Sequence, residues 1–326
     1  MRVAVTGATG HLGANVVRAF LARGATIRAI ARRVNTPAIA GLALDAVSAD
    51  VLDLPALRAA FTGCDVVVHL AAKISIRGDR DGAVRRTNVE GTRNALAAAR
   101  SAGVGRFVHV SSIHAMKLED AEGVADESLP LVGEGAFAYD LSKADGERIV
   151  RGEASSGMNA IVLRPTGILG PHDYMISRAG TMLREFFRGE RPLLIPGGYD
   201  WVDVRDVAAA VASAATRGRA GQSYLISGQW VSIEDLARLC GHVSGCVRTR
   251  LMLPSRIAVT ALPLVEALAS LRSGEPLFTR ESLAAVASNC RNISSRKAAE
   301  ELGFTARPVA ETLRDTFDWL KSGEIR

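Results

Sequence analysis

The stretch TGATGHLG, residues 6–13, sets Gly7, Gly10 and Gly13 between an apolar run, Arg2–Thr6, and an alanine-rich helical stretch that starts near Leu12. Glycine at that spacing lets a strand turn tightly into a helix and lets the backbone approach a ligand closely. A pyrophosphate fits there, because its charge meets the positive end of the helix that follows. The spacing is GxxGxxG and not the commoner GxGxxG, but the physical roles of the glycines are the same. Thr9, His11 and Leu12 complete the loop as candidate cofactor contacts.

Such a loop needs a parallel sheet behind it, and the N-terminal half supplies one. Short β-branched runs alternate with longer helical stretches, the rhythm of βαβ units. Strands are predicted at Arg2–Thr6, Thr26–Ala31, Ala46–Ser48, Val66–Leu70, Phe107–Ser111 and Asn159–Arg164. Helices are predicted to begin near Leu12, Leu54, Asp79 or Asp81, and Asp140. The fold class is therefore α/β, a Rossmann-type doubly wound sheet. After Pro165 the rhythm loosens through GILGPHD and IPGGYD, and helical segments dominate. Residues 1–165 read as the dinucleotide-binding unit, with a segment near 201–229 returning to it, and 166–326 as a smaller, mainly helical substrate-binding region.

The end of the second strand is where a ribose-selecting side chain is expected, roughly 20 residues past the glycine loop. An acid there would accept hydrogen bonds from the ribose hydroxyls and repel a 2′-phosphate. This chain has Arg32 and Arg33 instead. A guanidinium holds a phosphate through paired charge-assisted hydrogen bonds, so the pair points to NADP(H). Which arginine bonds and which stacks on the adenine stays open.

Forty Lys and Arg against thirty-four Asp and Glu give a net charge of +6, but the cations are dispersed along helices and form no nucleic-acid face. Cys64, Cys240, Cys246 and Cys290 form neither a CxxC pair nor a metal pattern with histidines, and read as reduced buried thiols. No signal peptide is evident at the N-terminus, so a cytoplasmic location is expected. The most apolar later stretch, Leu251–Leu271, contains Arg256, Glu266 and two prolines, falls short of a membrane span and reads as a buried or pocket-lining helix.

Further marks follow in order: ADVLD, VVHLAA, TNVEGTRN, VHVSS, YDLSK, LRPTGILGP and WVDVRDVA. Together with the glycine loop they make the chain resemble the extended short-chain dehydrogenase/reductase family over nearly its whole length, most of all its dihydroflavonol reductase-like and 3β-hydroxysteroid dehydrogenase-like branch. The resemblance implies that Asp50 and Val51 meet the adenine, and that Leu70, Ala71 and Ala72 pass beneath the nicotinamide-side ribose. It also implies that Asn88 ties neighbouring strands together and that Pro165 joins the cofactor contacts. Catalysis would fall to Ser112, Tyr139 and Lys143.

Tyr139 and Lys143 are four residues apart on one helix face, so both reach one ligand. A carbonyl receiving hydride needs a proton, and a phenol with a pKa of about 10 gives one reluctantly at neutral pH. An adjacent ammonium is expected to lower that pKa, to bond the nicotinamide ribose and to fix the cofactor. Ser112 would hold the substrate oxygen. His114 either contacts substrate or caps a loop, Asp140 fills a first helical turn, and Asp203 and Asp206 anchor the second region.

These residues imply an NADPH-dependent reductase of a small, largely apolar aldehyde or ketone. The alternatives are a nucleotide-sugar epimerase or dehydratase with bound NAD, and a non-catalytic NADP-binding regulator. The strand end Arg164-Pro165-Thr166 lacks the RxxN arrangement of sugar-nucleotide enzymes, and the Tyr and Lys are retained. Ile168, Leu169, Met175, Met252 and Leu253 are candidate pocket lining. No metal is expected, and a homodimer is left open.

Overall fold

The computed structural model describes residues 1–76, 78–190, 192–254, 257, 260 and 290–323. The first half runs β1 (Arg2–Thr6), α1 (His11–Leu21), β2 (Thr26–Ala31), β3 (Asp45–Ser48), α2 (Leu54–Phe61), β4 (Val66–His69), a short turn α3 (Ala83–Arg85), α4 (Gly91–Ser101), β5 (Arg106–Val110), α5 (Ala138–Ser155) and β6 (Ala160–Pro165). Every predicted strand is present, two with the predicted bounds, two differing by one residue at one end and two shifted by one residue as a whole. Short apolar strands bounded by turn residues leave little freedom in where they stop.

The second half runs β7 (Gly167–Leu169), α6 (Arg178–Arg188), β8 (Leu193–Leu194), β9 (Gly198–Asp203), α7 (Val204–Ala214), β10 (Ser223–Ile226), β11 (Gln229–Ser232), α8 (Ile233–Ser244), β12 (Leu251–Met252), α9 (Arg296–Leu302) and α10 (Val309–Lys321). Seven strands form the main sheet in the order β10-β6-β5-β4-β1-β2-β3, all pairs parallel. Strand order reverses between β1 and β4, which opens a crevice at their carboxyl ends.

Both faces of the sheet are covered, as parallel sheets require. Val16, Val17 and Phe20 of α1 pack with Val207 and Val211 of α7 on one side. Leu57 and Phe61 of α2, Leu96 of α4 and Val150 of α5 cover the other. Each fully buried side chain of this kind, Phe20 among them, contributes about 1.5–3 kcal/mol relative to exposure.

The second region holds a three-stranded sheet, β11-β9-β7, packed under α6, α8 and α10 through Leu183, Phe186, Leu236 and Leu313. Charges fasten it. Asp203 caps α7 by accepting from the Arg205 N–H at 2.7 Å and also receives the Arg205 guanidinium, which reaches on to Asp315 of α10 at 2.6 Å. Asp206 accepts from the Arg307 backbone at 2.8 Å and from its side chain. Both acids therefore act as anchors.

Other expectations change. Of the apolar stretch 251–271, residues 255, 256, 258, 259 and 261–271 lie outside the described residues, while Leu251 and Met252 form no helix and pair as β12 with β8. Leu169 is core, Ile168 packs against core, and Met175 is exposed. All four cysteines are free, but Cys246 and Cys290 are only half-buried. No helix among the described residues is long and apolar enough to cross a membrane, and those residues hold no cluster of metal-binding side chains.

Candidate active site at the carboxyl edge of the sheet

The glycine loop leaves β1 at Gly7, whose φ of +70° only glycine adopts readily, and a Cβ there would sit 2.9 Å from the Ala71 backbone nitrogen. At Gly13 a Cβ would fall 2.1 Å from the Gly7 carbonyl oxygen. The two positions thus let the loop fold against both α1 and the segment after β4. Gly10 caps α1 with no side-chain hydrogen bond, so the first-turn amides of that 11-residue helix have no side-chain cap. This arrangement fits the diphosphate of a dinucleotide. Thr9 and Leu12 are half-buried along it. The His11 ring is committed elsewhere: Nε2 hydrogen-bonds the carbonyls of Gly170 and Pro171 at 3.1 and 3.2 Å, tying α1 to the second region.

Past the ends of β2 and β3, where the adenosine is expected, a cleft of about 420 Å³ is walled by Arg32, Asp50, Leu52, Lys73, Arg86 and Thr87. Arg32 and Arg33 are both exposed, and only Arg32 lines this cleft. Among the described residues neither guanidinium carries an ion pair, so both remain available to an anion. Asp50 turns the chain after β3 by accepting from the Leu52 N–H at 2.9 Å. Val51 is buried, and Asn94 of α4 donates to its carbonyl at 3.1 Å. Lys73 and Arg86 join the cleft from a loop and from the π-helical turn Arg86–Glu90 that precedes α4. Nothing in the sequence marked them, because only the folding of that loop brings them opposite Arg32.

Leu70, Ala71 and Ala72 follow β4 beside the glycine loop. Thr6 holds them there: its Oγ1 accepts from the Leu70 N–H at 3.2 Å and the Ala71 N–H at 3.4 Å. Asn88 does not bond two strands, as the resemblance had implied. Its side chain clamps the Lys73 backbone, accepting at 2.7 Å and donating at 3.0 Å, and donates to Ser142 Oγ of α5 at 2.8 Å. Ser142 in turn donates to the Tyr139 carbonyl at 2.7 Å. One buried amide thus joins the loop after β4 to the first turn of the helix that carries Tyr139 and Lys143. Pro165 ends β6, buried and in register with Ile226.

Ser112 and Tyr139 share a hydrogen bond where β5 ends against α5, and Lys143 lies one turn further along α5. Ser112 is buried and opens a short turn, its Oγ accepting from the His114 N–H at 3.2 Å. Tyr139 lies in the first turn of α5 and Lys143 one turn on, 5% exposed, its Nζ donating to the Val110 carbonyl at 2.7 Å. Burial dominates the acid–base balance. It pushes the Tyr139 phenol up to about 12, against a hydrogen bond with Ser112 that acts the other way. It pulls Lys143 down to about 8, partly offset by Glu147. The expected lowering of the phenol by its lysine neighbour is not seen: burial is the largest influence and raises the phenol, and Asp140 adds to the rise.

Two imidazoles lie beneath. His69 and His109 face each other across the β4–β5 register and stack at 5.7 Å, both buried and both held neutral by burial, His69 down to about 3. His114 sits at the mouth, its ring edge-on to Tyr139 at 6.2 Å and its Nδ1 3.5 Å from Asp140. Burial lowers His114 and raises Asp140 to about 6. The His114 backbone closes the Ser112 turn, as the loop-capping expectation has it, and its side chain borders the phenol.

Comparison with known proteins agrees with this fold. The model of the NAD dependent epimerase/dehydratase family matches residues 3–227. The chain is 35% identical to sterol demethylase protein B of Methylococcus capsulatus, over 98% of each chain. It is 30% identical to a 4-hydroxy-2-methyl-3-oxo-4-farnesyl-3,4-dihydroquinoline-1-oxide ketoreductase of Stigmatella aurantiaca, over 94% of this chain and 92% of that one. Among solved structures, gox2253 superposes with a TM-score of 0.82 at 29% identity, covering 99% of both chains. MoeE5 in complex with UDP-glucose and NAD superposes at 0.78 with 23% identity, a likeness of fold alone.

Proposed function

The chain belongs to the NAD dependent epimerase/dehydratase family, and from that premise we propose that it is an NADPH-dependent reductase of a largely apolar aldehyde or ketone. The observation that carries this reading is the hydrogen bond between Ser112 and Tyr139, with Lys143 one helical turn on, at the carboxyl edge of a sheet beside a cleft lined by Arg32, which has no ion pair among the described residues.

The glycine loop and α1 would hold the diphosphate, Arg32 and Arg33 the 2′-phosphate, Asp50 and Val51 the adenine, Leu70 to Ala72 with Pro165 the nicotinamide side, and Lys143 the ribose. NADPH, when bound, supplies the hydride. Ser112 receives the His114 N–H on its oxygen, which leaves its own proton for the phenol or for a carbonyl oxygen placed beside it. Tyr139 gives up the proton that this oxygen needs. Lys143, cationic at neutral pH by virtue of a pKa near 8, stabilises the resulting phenolate. The ketoreductase relative is named for a farnesylated substrate and another for sterol demethylation, which supports an apolar carbonyl compound over a sugar diphosphate.

The test is to purify the full chain and dialyse it. NADPH is expected to exchange freely and to be oxidised in proportion to reduction of an apolar ketone. Recovery of stoichiometric NAD after dialysis, with interconversion of UDP-sugars and no added cofactor, would replace this reading by the epimerase one.

A further inference from the structure

We propose that Arg86 is a specificity-determining residue for the cofactor, the second cation of a clamp that closes on the adenosine 2′-phosphate together with Arg32. One arginine would come from the end of β2 and the other from the segment between β4 and α4, in place of the sequence neighbours Arg32 and Arg33. The proposal rests on the NADPH reading given above, and its test is arranged so that the two can fail separately.

A phosphate monoester carries about −1.5 to −2 charges at neutral pH, more than one guanidinium balances. Of the two arginines that end β2 only Arg32 lines the cleft, and the same cleft holds an acid, Asp50. An anion lodged beside Arg32 therefore needs a further cation. The segment after β4 brings two, Lys73 and Arg86. Lys73 is already answered, its Nζ lying 3.7 Å from the Asp81 carboxylate. Arg85, the neighbour of Arg86, is spent on Glu90 at 3.5 Å. Arg86 carries neither an ion pair nor a side-chain hydrogen bond among the described residues. An arginine present to hold its own turn would find its partner in that turn, and this one lines the cleft instead.

The backbone beneath these cations is set by its own bonds. Asp79 accepts from the N–H groups of Val84 and Arg85, each at 2.8 Å, and Asp81 accepts from Ala83 at 3.1 Å. Gly82, at φ +66°, lies against the Arg86 guanidinium, and a Cβ there would sit 2.9 Å from its Nη1. Arg86 then opens the π-helical turn, while Asn88 two residues on clamps the Lys73 backbone. A segment ordered in advance loses less freedom when a ligand arrives. Leu52, 43% exposed, lines the same cleft and offers the purine an apolar face. The cleft thus combines one apolar face, one acid and an unspent arginine from each of two segments far apart in sequence.

The experiment is equilibrium titration of the full chain with two pairs of probes, NADPH against NADH and adenosine 2′,5′-bisphosphate against 5′-AMP. The native protein is expected to favour the 2′-phosphorylated member of each pair. Arg86→Ala should lower both preferences by about tenfold or more, with NADH and 5′-AMP affinities close to native, which also certifies the fold. Arg86→Gln is the second neutral variant should the first not fold. Arg86→Lys keeps the charge without the fork and should fall between. Lys73→Ala should cost less, because its charge is shared with Asp81. A native preference kept in full by the neutral variants overturns the proposal and leaves the NADPH reading standing. So does an equal loss for all four probes, or a larger loss from Lys73→Ala than from Arg86→Ala. Equal affinity of the native protein for NADPH and NADH removes the NADPH reading itself, and the clamp with it.

Discussion

At the adenosine end of the crevice Arg32 and Arg33 stand exposed and without ion pairs among the described residues. At the reacting end, some strands away, Lys143 is 5% exposed, the phenol of Tyr139 is driven up to about 12 and two histidines are held neutral. The first end works with charge left in water, where it is inexpensive to keep and can be surrendered to an incoming anion. The second works with charge withdrawn from water, where each proton affinity is set by burial and must be supported by a neighbour. On the proposed reading binding selectivity and proton chemistry are therefore separable, and three sets of substitutions test how cleanly.

The largest effect is expected at the buried end. Tyr139→Phe keeps the ring and removes the proton, so single-turnover reduction should fall by about 100-fold to 10,000-fold while the NADPH isotherm stays in place. Native turnover would make Tyr139 a neighbour and pass the proton to another group, with His114 next to be tested. If NADPH affinity collapsed as well, the two ends would not be separable.

The second effect is on stability and sharpens the claim that burial rules the reacting end. His69 is pushed from its ordinary 6.5 to about 3 in the fold. A depressed value means that its contribution is complete above the unfolded value and is lost as pH falls toward 3. Between pH 7 and pH 4 this group alone should remove about 3 kcal/mol of unfolding free energy, at 1.36 kcal/mol for each pH unit of difference. Urea titrations at the two pH values should show that loss, and His69→Gln should flatten it. A variant as acid-sensitive as the native protein would place the effect in other groups.

The smallest of the three concerns the open end. Changing Arg32 and Arg33 together to Ala removes charge-assisted bonds worth roughly 1.5–3 kcal/mol each. The preference for NADPH over NADH should then fall by more than about tenfold, with turnover at saturating NADPH retained. Arg32→Ala alone should account for most of it, since Arg32 lines the cleft and Arg33 does not. Equal affinity of the native protein for the two nucleotides would remove the basis of the comparison.

The contrast also explains what could be read from the sequence. The glycine loop, the arginine pair and the Tyr–Lys spacing are local patterns, carried by residues near one another in the chain, and the strands around them fall within a residue of where the sequence puts them. What escaped depends on register and loop folding. His69 and His109 are forty residues apart and meet because β4 and β5 pair Val66 with Arg106. Glu147 meets Arg164 because a helix lies over a strand. Lys73 and Arg86 reach the adenosine cleft only once the chain beyond β4 has folded back. The rise of the phenol escaped for a related reason: a lysine neighbour can be guessed from spacing, but the desolvation that raises the phenol is a property of the assembled interior.

The position of β10 carries one more consequence, for the order in which the molecule can be made. Its four residues close the sheet beside β6, and its Ser223 completes the shell around Glu147 and Arg164. A nascent chain that has emerged only as far as Pro165 therefore has every glycine of the cofactor loop and every reacting side chain, yet its last strand is an unpaired edge and its buried arginine lacks a roof. The sheet waits for some sixty more residues of synthesis before that edge is sealed. Edges of this kind are where incomplete chains find one another. A shortened gene product ending after β6 would look complete in its motifs and be incomplete as a folding unit.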